Sequence, residues 1–263
     1  MLRTLPRSRT PSGAAYLERG EADEALVLIH GVGMRIEAWW PQIDRLAEEC
    51  RVVAVDLPGH GFSDALDGLP ELPRYVAWFR RFLEEIEAGP VNVAGHSMGA
   101  LIASGIVATA PESVRRVALL NGVHRRGVGA RKAVEARARE IATGDFDRAA
   151  PLARWFSPDE ETTEAYALVR DLLRSVDPAG YAAAYTAFAG GDTIYADCWS
   201  QVECPALFLT GDGDLNSTAD MARAMAAAAR RGRAVVIDGH RHMVNLTAPD
   251  EVNRALAGWL AST

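Results

Sequence analysis

The sequence predicts an α/β protein: a mostly parallel central sheet with helices on both faces, and a helical cap inserted after residue 121. Three observations predict it. Short apolar runs of strand length alternate with longer helical patterns over residues 25–121. The alternation stops between 122 and 198, where only helical patterns occur, and it resumes after Pro205. Strand–helix–strand alternation builds βαβ units, whose right-handed crossovers place helices on both faces of a parallel sheet.

Each element follows from its local pattern. Residues 25–30 (ALVLIH) form a buried-strand run that ends in the turn Gly31-Val32-Gly33. A helix is expected over 36–49, where Trp39, Trp40, Ile43 and Leu46 recur at i, i+3/i+4 spacing. The next strand is 52–56 (VVAVD), closed by Leu57-Pro58-Gly59, and a helix over 72–88 follows. Residues 91–94 (VNVA) lead into Gly95-His96-Ser97-Met98-Gly99, then an alanine-rich helix to about 110 and a strand over 114–120 (VRRVALL). In the cap, helical stretches at 131–143, 162–176 and 181–189 are separated by Gly144, Pro151, Pro158, Pro178, Gly190 and Gly191. The last quarter gives a strand at 206–210, a helix at 217–229, a strand at 234–238 and a helix at 247–260. The chain thus divides into a core of 1–121 and 199–263 and a cap of 122–198.

Composition narrows the function classes. A length of 263 residues can bury one large core. The formal net charge is −7 with no block of lysine or arginine, so nucleic acid is not expected as a partner. Three cysteines, Cys50, Cys198 and Cys204, are too few and too irregular for a disulfide framework, and no pair has metal-ligand spacing. No run approaches the 18 apolar residues of a spanning helix, and the basic N-terminus lacks an apolar core of a signal peptide. The expectation is a cytoplasmic protein, monomer or homodimer, with a small-molecule substrate, no membrane partner and no metal.

The chemistry is concentrated in three places. Gly95-His96-Ser97-Met98-Gly99 fits G-x-S-x-G between a strand and a helix, the context in which the serine sits on a strained turn above the sheet. A serine hydroxyl needs a base. In this arrangement the chain order is serine, acid, histidine, which leaves His240 and His242 of the six histidines, and His242 in Gly239-His240-Arg241-His242-Met243 is preferred. The acid should follow a late strand, as Asp212 and Asp214 do in Thr210-Gly211-Asp212-Gly213-Asp214; Asp214 is preferred and Asp212 read as a turn residue. Asp56 is read as a loop brace and His30 as a packed histidine. Two N–H donors for a developing oxyanion are expected from Met98 and from Val32, with Gly33 as fallback.

Together HGVG, DLPGHGFS, GHSMG and GDGD…GHRHM resemble the α/β-hydrolase superfamily along nearly the whole chain. Arg154-Trp155-Phe156-Ser157-Pro158 and Asp177-Pro178-Ala179-Gly180-Tyr181 are similar to cap segments of the 3-oxoadipate enol-lactonase group. The resemblance implies an α/β-hydrolase fold, hydrolysis of a small ester or enol-lactone through an acyl-enzyme on Ser97, no cofactor, and Trp155 lining the substrate pocket. Three features depart from that group. His96 stands where a leucine is expected, 192–204 (DTIYADCWSQVEC) is unusual, and Trp39-Trp40 lies near the oxyanion loop, so that Trp39 is expected to narrow the pocket. The same triad serves a β-diketone C–C bond or a reactive amide, which stand as alternatives, with a non-catalytic small-molecule receptor as a third.

Overall fold

The computed structural model describes residues 4–144 and 147–262. Eight strands form one sheet in the order β1-β2-β4-β3-β5-β6-β7-β8, comprising β1 (Ser8–Arg9), β2 (Ala15–Arg19), β3 (Ala25–Ile29), β4 (Arg51–Val55), β5 (Val91–His96), β6 (Val114–Leu120), β7 (Ala206–Gly211) and β8 (Gly232–Ile237). All pairings from β4 to β8 are parallel, and β1 and β2 join antiparallel at one edge.

Strand β3 shows why the sheet is two-sided. All five of its residues are buried, and successive side chains alternate between faces. Val27 and Ile29 pack with Val53, Val55 and Val93 in one core. Leu26 and Leu28 pack with Val52, Ala54 and Ala94 in the other. The first core is roofed by α2 (Leu72–Glu85) and α3 (Met98–Thr109), through Phe79, Phe82, Ile102 and Ile106. The second is covered by α1 (Trp40–Leu46) and the C-terminal α10 (Pro249–Leu260), through Ile43, Leu46, Leu256 and Trp259.

Between β6 and β7 the chain makes α4 (Val128–Ala142), α5 (Leu152–Trp155), α6 (Glu164–Ser175) and α7 (Pro178–Gly191), and it strings no strand among the described residues there. Helix α8 (Ala219–Ala228) connects β7 to β8, and the short α9 (Val244–Thr247) precedes α10.

The sheet order places the site. From β3 the chain passes to β4 on one side, while β5 lies on the other. Strand order reverses there, so a crevice opens at the carboxyl ends of β3 and β5. The turns Gly31–Gly33 and Ser97 leave those two ends.

Some boundaries differ from expectation, each for a local reason. The helix expected over 36–49 is a 3₁₀ turn, Ile36–Trp39, followed by α1, which restarts with Pro41 in its first turn. The last helix breaks at Ala248 (φ −130°, ψ 53°), the residue before Pro249. Helix α7 begins three residues earlier than expected because Asp177 caps it, accepting the Gly180 N–H at 2.8 Å. Strands β1 and β2 carry no apolar run; AYLER is half-exposed and pairs with β4 through its backbone. No helix among the described residues is long and apolar enough to cross a membrane.

Candidate active site

Ser97 sits between β5 and α3 with φ 55° and ψ −110°, in the half of backbone space that non-glycine residues avoid. Its surroundings hold it there. The Ser97 N–H donates to the Leu120 carbonyl at 2.9 Å. A Cβ on Gly95 would lie 2.1 Å from the Gly99 carbonyl oxygen, and one on Gly99 would lie 2.1 Å from that of Ile29. Only glycine at both positions lets α3 start this close to the sheet, and that proximity lifts the serine over the strand ends.

His242 reaches the same place from the loop after β8. Its Nδ1 donates to Asp214 Oδ2 at 2.7 Å, with both side chains buried. A carboxylate only accepts, so the proton lies on Nδ1 and Nε2 is left as the basic nitrogen. Asp214 Oδ1 accepts the N–H groups of Asn216 (2.8 Å) and Ser217 (3.2 Å), and Oδ2 also accepts Asn121 Nδ2 at 2.8 Å. Burial pushes its pKa up, but the His242 partner and these hydrogen bonds outweigh burial and hold it below the ordinary carboxylate range. Asp212 instead accepts the Gly239 N–H at 2.8 Å in a turn, and His240 bonds Thr247 at 2.9 Å. Ser97 and His242 line one cavity, closed from the insertion side by Trp155, Tyr181, Tyr185 and Phe188. Trp155 stacks on the His242 ring, centroids 5.4 Å apart and planes 30° apart.

Two backbone donors flank this cavity. Met98 is the first residue of α3, where an N–H has no acceptor within the helix. Val32 lines the cavity, and its N–H donates to no protein acceptor among the described residues. The Gly33 N–H is committed elsewhere, donating to His60 Nε2 at 3.0 Å. His30 likewise accepts the Leu57 N–H at 2.9 Å. Burial holds His30 well below the ordinary histidine pKa and His60 at about 4, so both act as neutral braces of the Gly31–Gly33 turn. Asp56 braces the same region, accepting the N–H groups of Ile36 (2.9 Å) and Phe62 (3.1 Å).

A serine on a strained strand-to-helix turn, an Asp–His pair contributed after two later strands, and a cavity between them match a defined lineage. The model of the alpha/beta hydrolase family matches residues 26–255. The chain belongs to that family. This hydrolase is 50% identical over 259 residues to the (E)-2-((N-methylformamido)methylene)succinate hydrolase of Acinetobacter baylyi, covering 98% of this chain and 97% of the relative. It resembles the enol-lactonase structure from Burkholderia xenovorans with a TM-score of 0.82 and 27% identity, over 98% of this chain and 100% of the other. A thermophilic esterase from Thermogutta terrifontis shares the fold, with a TM-score of 0.86 at 22% identity over 97% and 98% of the two chains.

One expected site residue of this hydrolase lies elsewhere. Trp39 does not line the cavity: it is fully buried in the opposite core with Leu26, Leu28, Ile43 and Leu46. The 3₁₀ turn that ends at Trp39 advances about 120° per residue, against 100° in an α-helix, and so aims the indole into the α1/α10 layer. It approaches the site only from behind, edge-on to His96 at 6.4 Å.

Four residues to which the sequence assigned no role belong to the site. His96 Nε2 bonds the His242 carbonyl oxygen at 2.8 Å. Asn121, at φ 49°, ends β6 in the left-handed conformation that asparagine tolerates and so turns its amide onto Asp214. Arg126 lines the cavity, as does Arg154. Arg125 points outward instead and pairs with Asp197 at the surface. An asparagine directly after an apolar strand and before glycine was the available signal for Asn121; nothing in the sequence separates Arg126 from Arg125.

Proposed function

We propose that this hydrolase transfers an acyl group from a small substrate with a conjugated leaving group to Ser97, and from there to water. The observation that carries the reading is that Ser97 lines one cavity with His242, whose Nδ1 is bonded to the buried Asp214 behind it. His242 Nε2 accepts the proton of the Ser97 hydroxyl as the oxygen bonds to the substrate carbonyl carbon. The N–H groups of Val32 and Met98 hold the oxyanion, each donor being worth roughly 3 kcal/mol in such sites. The imidazolium then gives its proton to the leaving atom. A water activated by the same nitrogen cleaves the acyl ester and restores the serine. The cavity is lined by both polar and aromatic side chains, among them Ser97, His242, Trp155 and Phe188, a lining that suits a small molecule with a polar reacting group.

The likeness to the Acinetobacter hydrolase supports a C–N bond as the one cleaved. In a formamido-methylene-succinate the nitrogen is attached to a vinylic carbon conjugated with a carboxylate. Attack on the formyl group therefore expels a delocalised enamine nitrogen, a better leaving group than a simple amine. The likeness to the enol-lactonase supports a second reading, a C–O bond whose leaving group is an enolate. Both readings share an acyl group on a conjugated heteroatom. Turnover of (E)-2-((N-methylformamido)methylene)succinate, 3-oxoadipate enol-lactone and p-nitrophenyl acetate separates them. The formamide is expected to give the highest kcat/KM, with release of formate. Failure on all three substrates would overturn the proposal.

A further inference from the structure

Cap residues turn a positively charged face to the cavity of an acidic protein. The chain has a net charge of −7, yet the cavity wall carries two arginines, Arg126 and Arg154, and no carboxylate among the described residues. Arg126 follows β6 and its side chain is only 3% exposed. A guanidinium buried this deeply is costly unless its charge and its donors are matched.

The matching is incomplete. Arg126 Nη1 lies 3.3 Å from Asp192 Oδ1 and reaches the carbonyls of Phe188 and Ala189 at 3.4 and 3.5 Å. Its Cζ rests 4.4 Å from the centre of the Phe188 ring. Nη2, with two N–H groups, is buried and has no hydrogen-bond partner. Asp192 is not Arg126's alone, because it also lies 3.3 Å from Arg131 Nη2. One carboxylate between two guanidiniums leaves an excess of one positive charge. Arg154, half-buried on α5, has no side-chain hydrogen bond or ion pair among the described residues. The charges of Arg154, Arg137 and Arg126 all act on Tyr185, another residue of the cavity wall, against the burial that raises its pKa.

We propose that Arg126, assisted by Arg154, is the subsite that binds a carboxylate of the substrate, so that this hydrolase selects short-chain carboxylic acids; the proposal rests on the hydrolase reading of the same cavity. An orphaned pair of N–H groups on a planar guanidinium matches a carboxylate. The rest of the wall, with Val134, Trp155 and Phe188, suits the carbon chain that carries it.

Succinate binding to Ser97→Ala protein, measured by isothermal titration calorimetry, reads the subsite without turnover. Succinate is expected to bind; adding Arg126→Met should weaken it at least tenfold and Arg126→Lys at least threefold. Arg125→Met, at the neighbouring surface arginine, should bind as the parent does. Arg126→Met leaves Asp192 its Arg131 partner, and Arg126→Lys keeps the charge should the methionine variant not fold. Absence of succinate binding, equal affinity in either Arg126 variant, or an equal loss in Arg125→Met would overturn the proposal. Inorganic phosphate binding as tightly as succinate would overturn the carboxylate assignment. Arg126-dependent binding without any turnover by the wild-type protein would sink the proposed hydrolysis alone. Turnover of anionic substrates untouched by Arg126→Lys would sink the subsite alone.

Discussion

His96 Nε2 lies 2.8 Å from the carbonyl oxygen of His242, so the residue before the candidate nucleophile holds the backbone of the candidate base. A carbonyl only accepts, which puts the His96 proton on Nε2. Burial, reinforced by the neighbouring His242, lowers the His96 pKa to about 3, and the ring stays neutral through the working range. Its ring lies 5.0 Å from that of His242. The imidazole therefore ties together two loops that lie 146 positions apart in the chain.

His96→Leu should accordingly lower kcat by about 10- to 100-fold, the cost of a misplacement on the order of 1 Å, with KM changed less than threefold. His96→Gln keeps an N–H donor and should recover part of the loss. Steady-state kinetics of both variants test this; equal kcat for leucine and wild type would remove His96 from the positioning role.

Three buried imidazoles also set an acid limit on stability. His30, His60 and His96 are all lowered in the fold, His60 to about 4 and His96 to about 3, whereas an unfolded histidine titrates near 6.5. Below 6.5 the unfolded chain binds protons that the folded chain refuses. Stability is thus full above about 6.5 and falls as pH drops toward 4, by up to about 1.4 kcal/mol per pH unit for each histidine. Urea midpoints measured at pH 7.5 and 5.5 should differ, the lower pH being weaker, and His96→Leu should flatten the slope. Identical midpoints would contradict it.

Asp214 has one ring partner and several supporting donors, which ranks two substitutions. Asp214→Asn removes the acceptor for His242 Nδ1 and should lower kcat by roughly 10³- to 10⁴-fold, as tautomer loss does in related triads. Asn121→Ala removes the 2.8 Å bond to Asp214 Oδ2, together with longer ones to Thr210 Oγ1 (3.2 Å) and the Arg241 carbonyl (3.3 Å), but leaves Asp214 its His242 partner, and should cost about tenfold. Kinetics of the pair, with a double variant, would show non-additive losses because both act on one carboxylate.

The two tryptophans should separate in behaviour. Trp155→Ala removes the stack on His242 from the cavity wall and should raise KM or lower kcat with little change in melting temperature. Trp39→Ala empties a fully buried site and should cost about 3–5 kcal/mol of stability. Thermal melts and kinetics on both variants check the assignment.

How far the sequence carried depended on whether a residue's direction is set locally. The strands at 25–29, 51–55, 91–96, 114–120 and 206–211 were readable because burial on both faces demands continuous apolar runs. The Gly95 and Gly99 contacts were implied by the motif because backbone proximity leaves no alternative residue. Trp39 was misplaced because a 3₁₀ turn and an α-helix share an apolar pattern but diverge in direction within one turn. Arg125 and Arg126 could not be told apart because Arg125 adopts φ 47°, a reversal that sends adjacent side chains to opposite sides. His96 was visible only as a departure; its partner lies 146 positions away.

The most direct test of the account is covalent trapping of Ser97. Wild-type protein treated with a fluorophosphonate, followed by intact mass and peptide mapping, should carry one adduct per chain on Ser97, with activity lost in proportion and no labelling of Ser97→Ala. An adduct on another residue, or a Ser97→Ala protein that hydrolyses the substrate at the wild-type rate, would contradict it.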